Sequence, residues 1–139
     1  MSIRTALVAA AVALSASAAF ADDSVIVLGR AAYGAHCAIC HGSDAKGGGE
    51  LAQMLTVKPA NLTTLKERDP GKAFPFSEVY QVISLGKSAP GHGTSQMPIW
   101  GSYFRADALK DRGVNGDDAD FIAVGRALSL AYYLESIQQ

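Results

Sequence analysis

Residues 37–41 read CAICH, and this pentapeptide decides how the rest of the chain is interpreted. Its two cysteines, Cys37 and Cys40, are the only two in 139 residues. Cysteines three positions apart are typical of three chemistries: a redox disulfide, one half of a zinc site, and covalent attachment of a cofactor. The segments around the motif show which of these the chain favours.

A thioredoxin-like disulfide is expected after a β-strand, within a βαβ unit. Residues 23–38 instead carry apolar side chains at helical spacing (Val25, Leu28 and Ala32), and Ser24 is a candidate N-cap. A structural zinc site needs a second pair of ligands, but the histidines outside the motif are His36 and His92 alone. Both readings fit poorly.

The remaining reading uses every residue of the motif, because C-x-x-C-H is the attachment signature of c-type haem. Cys37 and Cys40 would form thioethers with the haem vinyl groups, and His41 would bind the iron. Five residues span little more than one helical turn, which lets two sulfurs and an imidazole approach the same side of a macrocycle. We therefore predict one haem c, held covalently through Cys37 and Cys40.

Outward from the motif, the patterns predict helices and loops but no strand. Four glycines in residues 42–50 predict a loop, and a short turn of helix is predicted over residues 51–57. Further helices are predicted over residues 77–85, ended by Gly86, over residues 102–109, and over residues 119–137. Residues 86–96 form a long loop rich in Gly, Pro and Ser. The fold class is therefore all-α.

The predicted helix caps and core positions follow from the same patterns. Ser77 is the expected N-cap of the middle helix, and Asp117 or Asp118 that of the last helix. The last helix should bury an apolar row with a second row beside it. The first row is Phe121, Val124, Leu128 and Ala131, and the second is Leu130, Tyr133, Leu134 and Ile137.

The N-terminal 21 residues have the pattern of a cleaved secretory signal. Arg4 precedes an uncharged, alanine-rich run that ends in Ala19-Phe20-Ala21, a small-x-small cleavage pattern. The run is short against the roughly 20 strongly apolar residues of a membrane anchor. We predict a signal peptide over 1–21, one domain over 22–139, a periplasmic location and no membrane span in the mature chain.

The balance of charged residues argues against a nucleic-acid partner. The whole chain has 12 Lys and Arg against 13 Asp and Glu, and removal of residues 1–21 takes away Arg4 alone. A basic run or patch, the usual footprint of nucleic-acid binding, is missing from the sequence.

The chain resembles a class I c-type cytochrome of the cytochrome c family, of the bacterial, monohaem kind. The resemblance rests on Gly29 and Tyr33 before CAICH, on Met97-Pro98 far downstream, and on the final segment LAYYL at residues 130–134. It implies a small helical domain wrapped around one covalent haem, with its first and last helices crossing at Gly29.

The same resemblance implies further site residues. Met97 is the second iron ligand that it implies. Met54 and His92 are the other candidates, but from their own sequence contexts Met54 is expected to pack in the apolar interior and His92 to lie solvated in its loop. The segment Pro59 to Leu62 should supply the carbonyl that orients His41, and Pro59 is the residue chosen for this role. Trp100, Tyr80 and Arg105 are candidates for contact with the haem or its propionates, or else for ordinary packing and surface positions.

Iron closed on both faces by His41 and Met97 favours electron transfer over catalysis. The function expected from the resemblance is a soluble, monomeric periplasmic electron carrier, not an enzyme, whose periplasmic or membrane redox partners dock transiently at the haem edge. The alternatives are a haem subunit held permanently by a periplasmic dehydrogenase or oxidase, and an open-site haem protein that binds small ligands.

Overall fold

The computed structural model describes residues 19–68, 70–86 and 97–139, with side chains from residue 24 onward. These residues form helices and loops and contain no β-strand, as predicted. Within the described residues, five α-helices and two short 3₁₀ helices follow one another. The α-helices are α1 (Ala19–His36), α2 (Ala38–His41), α3 (Phe76–Leu85), α4 (Trp100–Ala108) and α5 (Gly116–Ser136), and the 3₁₀ helices are Glu50–Met54 and Leu65–Arg68. Most of the predicted signal segment, His92 and most of the loop over residues 86–96 lie outside the described residues.

Helices α1 and α5 cross at Gly29, as predicted. A Cβ atom on Gly29 would overlap the backbone carbonyl of Ser129 and the Cβ of Tyr133, so the two helices approach more closely than any side chain there would permit. Beside the crossing, the rings of Tyr33 and Tyr133 lie 5.3 Å apart, centroid to centroid, and both are buried. This contact is the most extensive between any two described helices.

The core face of α5 is built largely from small residues. Ala119, Ala123 and Ala127 are buried, followed by Leu130 and Leu134. This face contacts α1, α3 and α4. The prediction that Phe121 and Val124 belong to the buried row is wrong, since these side chains are 76% and 44% exposed. Alanines let three helices approach α5 closely, and the larger residues of the same turns therefore point away from the core.

Three predicted N-caps are wrong, and the C-terminal stop at Gly86 is confirmed. Asn115 caps α5, because its side-chain oxygen accepts from the backbone N–H groups of Asp117 and Asp118 at 2.9 and 3.0 Å. Helix α1 begins before Ser24. Helix α3 begins at Phe76 after Pro75, so Ser77 lies inside its first turn, and the ring of Phe76 packs on Tyr132 with the centroids 4.7 Å apart. Gly86 ends α3 in the left-handed conformation with φ +63°.

Met54 does not pack in the interior as predicted. It ends the 3₁₀ helix Glu50–Met54 and is 80% exposed. The short 3₁₀ helix packs on α2 through its beginning, where Gly49 donates to the carbonyl of Cys40 at 3.1 Å, so its far end projects away from the core.

Among the described helices, none has both the length and the apolar character that crossing a bilayer requires.

Candidate functional site

The motif CAICH forms a single helical turn, and the helix is interrupted at Cys37. Helix α1 ends at His36, and α2 begins at Ala38. The carbonyl of Cys37 accepts from the backbone N–H groups of Cys40 and His41, at 3.1 and 2.9 Å. The two sulfurs and the imidazole therefore belong to one turn, which is the arrangement predicted from their spacing.

The thiols of Cys37 and Cys40 are half-buried and are not joined to each other. Burial, reinforced by the neighbouring Cys40, raises the pKa of the Cys37 thiol to about 12. A redox-active C-x-x-C pair depends on a thiol whose pKa is lowered, because the thiolate is the nucleophile. Together with the helix before the motif, this high pKa opposes the thioredoxin-like reading.

His41 is oriented by a hydrogen bond to the backbone. Its Nδ1 lies 3.1 Å from the carbonyl oxygen of Ala60, and because a carbonyl can only accept, Nδ1 must carry the proton. Burial lowers the pKa of His41, and the hydrogen bond to the Ala60 carbonyl raises it by a smaller amount. The lowered pKa favours the neutral ring. The neutral tautomer leaves Nε2 as the donor atom for a metal.

The residue that accepts from His41 corrects the prediction for Pro59. Ala60, the next residue, supplies the carbonyl, while the carbonyl of Pro59 passes directly over Gly47. A Cβ atom on Gly47 would overlap that carbonyl, and Gly47 itself has φ +89°. Pro59 thus lies against the glycine loop that follows the motif, and its contact with a haem stays a prediction.

Two further hydrogen bonds hold the chain that leaves His41. The hydroxyl of Tyr33 donates to the carbonyl of Gly42 at 2.7 Å, and Gly47 donates its backbone N–H to the carbonyl of His41 at 2.7 Å. Gly42 takes φ +82°, a conformation that glycine adopts without strain. The buried tyrosine of the α1–α5 crossing therefore also anchors the turn after the motif.

Met97 and Trp100 approach from the second half of the chain. Both are half-buried and pack against the core cluster that Cys37 and Ala38 also contact. Trp100 begins α4 and stacks on Phe104, with centroids 5.8 Å apart and planes inclined at 30°. The structure thus brings both residues to the core next to the motif.

His36 is a residue that the sequence analysis did not assign to the site. Its ring lies 5.5 Å from Trp100, 5.3 Å from Tyr103 and 5.5 Å from Phe104, all between centroids. Because His36 directly precedes Cys37, this aromatic cluster attaches α4 to the motif. Its position next to the first cysteine was the available signal, but an isolated histidine does not show which rings surround it.

Tyr80 and Arg105 line a surface groove of about 410 Å³ between α3, α4 and α5, and Tyr80 also packs against the same core cluster as Met97 and Trp100. Arg105 forms an exposed ion pair with Asp120 across that groove. The surface position of Arg105 agrees with the prediction that it is an ordinary surface charge.

The donor set of the motif fits a covalently attached haem. It offers two unjoined thiols on one turn and an imidazole whose Nε2 is the remaining donor. In the described part of the chain, no group of three or more His, Cys, Asp or Glu side chains could by itself hold a metal ion. The zinc reading therefore gains no support from the described residues.

A family model described as Cytochrome c matches residues 26–115, from the second half of α1 through CAICH and α4 to the cap of α5. Neither the curated proteins nor the solved structures gave a match.

Proposed function

Because this chain belongs to the cytochrome c family, it is a haem-based electron-transfer protein, and we propose that it carries single electrons through one haem c. In the proposal, Cys37 and Cys40 hold the haem by thioether bonds, and His41 and Met97 bind its iron. When bound, the haem supplies an iron that gains or loses one electron. The observation that carries the proposal is the CAICH turn with His41 Nδ1 hydrogen-bonded to Ala60.

The hydrogen bond to Ala60 supports a defined role for His41. A ring fixed through Nδ1 presents Nε2 in one orientation, and the carbonyl acceptor makes that nitrogen a better donor. His41 would therefore need little reorganisation if the group it binds changed its charge.

The proposed role of Met97 distinguishes a carrier from an enzyme. A thioether sulfur on the second face would leave no open position for a substrate, and it would raise the reduction potential relative to a second histidine. Met97 packs against the same core as Cys37, whereas Met54 is exposed, and this difference favours Met97 as the ligand.

The proposed partners are periplasmic or membrane redox proteins that dock transiently beside the motif. Ile39, between the two cysteines, is 48% exposed and offers an accessible apolar side chain for such a contact. Transient redox complexes use small interfaces of this kind. The periplasmic location rests on the predicted signal peptide over residues 1–21.

Optical spectra of the exported protein, with a denaturing gel stained for covalent haem, test the proposal. We expect covalent haem, a low-spin spectrum in both oxidation states, and no rapid binding of carbon monoxide by the reduced protein. A high-spin spectrum with rapid carbon monoxide binding would instead support the open-site alternative. A gel without covalent haem would refute the attachment at Cys37 and Cys40.

Sedimentation separates a free carrier from a permanently held subunit. We expect a monomer at every concentration tested and purification without a bound dehydrogenase or oxidase. Stable copurification with such an enzyme would contradict the carrier proposal and favour the subunit alternative.

A further inference from the structure

The C-terminal end of the chain contacts the segment that orients His41. The side-chain NH₂ of Gln138 donates to the carbonyls of Leu62 and Leu134, both at 2.7 Å, and its oxygen accepts from the backbone N–H of Lys66 at 3.2 Å. The two carbonyls require N–H donors and the Lys66 N–H requires an acceptor, so the partners fix the orientation of the amide. Gln138 thereby joins the end of α5 to residues 62–66.

The neighbouring residue adds a second link to the same segment. The backbone N–H of Gln139 donates to the carbonyl of Thr63 at 2.9 Å, and Thr63 is buried. The side chain of Gln138 and the backbone of Gln139 together thus make three hydrogen bonds to residues 62–66. The tail is a fixed part of the structure around this segment.

On its opposite side, the segment reaches the motif. Ala60 accepts from His41 Nδ1, and Leu62 donates its backbone N–H to the carbonyl of Ala45 at 2.8 Å. Between these contacts, the Asn61 side-chain oxygen accepts from both the backbone N–H and the hydroxyl of Thr63, at 2.9 and 2.8 Å. The turn over residues 60–63 is therefore stiff, and displacement at Leu62 carries over to Ala60.

Loss of the Gln138 amide would release one side of this turn. The Leu62 carbonyl would lose its donor, and the stiff turn would shift while His41 remains held by its own helical turn. A longer Nδ1–H···O contact makes the imidazole a weaker donor. A weaker donor stabilises oxidised iron less, so the reduction potential rises.

We infer that Gln138 is a positioning residue for His41, acting through residues 60–66, and that the C-terminal tail thereby tunes the reduction potential. The inference rests on the proposed ligation of iron by His41. It concerns a part of the chain beyond residues 26–115, to which the family match extends.

Gln138→Ala and Gln138→Leu, neither of which changes the charge, test the inference in the haem-loaded protein. Asn115→Ala is the matched control, because it weakens α5 at its other end, is also uncharged, and removes no contact of residues 60–66. Two quantities are measured beside the melting temperature: the midpoint potential, and the solvent exchange rate of the His41 Nδ1 proton by NMR of the reduced protein.

Both Gln138 variants should raise the potential and speed exchange of the ring proton by about tenfold or more, the factor that corresponds to about 1.4 kcal/mol of lost protection. Asn115→Ala should lower the melting temperature and leave both other quantities unchanged. Gln138→Leu keeps the apolar stem of the side chain and supplies the comparison if Gln138→Ala does not retain its haem.

A lower melting temperature with unchanged potential and exchange rate would overturn the inference and leave Gln138 a stabilising residue only. Equal shifts in the Gln138 variants and Asn115→Ala would also overturn it, since the effect would then be general loosening of α5. Failure of the proposed function is distinguishable from both, because it appears as a high-spin spectrum of the unmutated protein before any substitution is made.

Discussion

Replacement of Gly29 by alanine or valine tests the helix crossing most directly. The added Cβ would overlap the Ser129 carbonyl and the Tyr133 Cβ, neither of which can rotate away. Helices α1 and α5 would have to separate, and the Tyr33–Tyr133 contact would loosen with them. We therefore expect both variants to destabilise the protein.

The expected magnitude combines three effects. Overpacking of a tight contact costs about 1–3 kcal/mol, and partial loss of the tyrosine pair adds about 0.5–1.5 kcal/mol. Alanine returns about 1 kcal/mol because it favours the helix over glycine. The net loss is about 2 kcal/mol for Gly29→Ala and about 3–4 kcal/mol for the bulkier, β-branched Gly29→Val. For a domain of this size, each kcal/mol lowers the melting temperature by about 4 °C.

Thermal unfolding of the haem-loaded protein, followed by circular dichroism, measures the effect. Gly34→Ala is the matched control, since Gly34 lies on the same helix and a Cβ there would meet no atom within 4 Å. The control should stabilise the protein by about 0.5–1 kcal/mol through helix propensity alone. If both alanine variants changed stability in the same direction, the close crossing at Gly29 would be refuted.

Three further predictions address the second ligand, an ion pair and a helix cap. Met97→Ala should let the reduced protein bind carbon monoxide and should lower its potential, whereas Met54→Ala, at an exposed position, should change neither; carbon monoxide binding by the Met54 variant alone would contradict the ligand assignment. The hydrogen bond from Arg126 holds the pKa of Asp107 below its usual range, so this carboxylate stabilises the fold above about pH 4 and loses its effect as the pH falls further. Asp107→Asn should therefore lower the urea midpoint at pH 7. If the variant were equally destabilised in acid, the charge of Asp107 would not be the cause. Asn115→Ala should cost about 1 kcal/mol in urea unfolding, and no loss would show that the cap contributes nothing to α5.

The helices could be predicted from the sequence because their apolar residues recur at helical spacing and because Gly86 ends α3. For α5, the sequence predicted the burial of Leu130, Ala131, Tyr133 and Leu134, but it did not predict which residues are buried in the first half of the helix. Phe121 and Val124 are more hydrophobic than alanine, but they are exposed, and alanines are buried in their place. Close packing of α5 against several helices requires small side chains at the contact. Hydrophobicity alone does not reveal this preference.

The candidate site was predictable where one short segment carries the chemistry. The spacing of Cys37, Cys40 and His41 places them on one turn without reference to the rest of the fold. The carbonyl of Ala60 was missed by one position, because every residue has a carbonyl and backbone direction is set by the tertiary path of the chain. The ring cluster around His36 and the bonds of Gln138 depend likewise on segments far apart in sequence.

Trp100 is the only tryptophan in the chain, and its place beside His36 makes it an internal optical reporter. Indole fluorescence is quenched by energy transfer to a nearby haem, so a holoprotein of the proposed kind should emit weakly. The emission should increase when the protein unfolds and α4 moves away from the motif, and it should be strong in a chain that never received its haem. One fluorescence spectrum of the purified protein would therefore measure how much of the chain carries its haem, without any label.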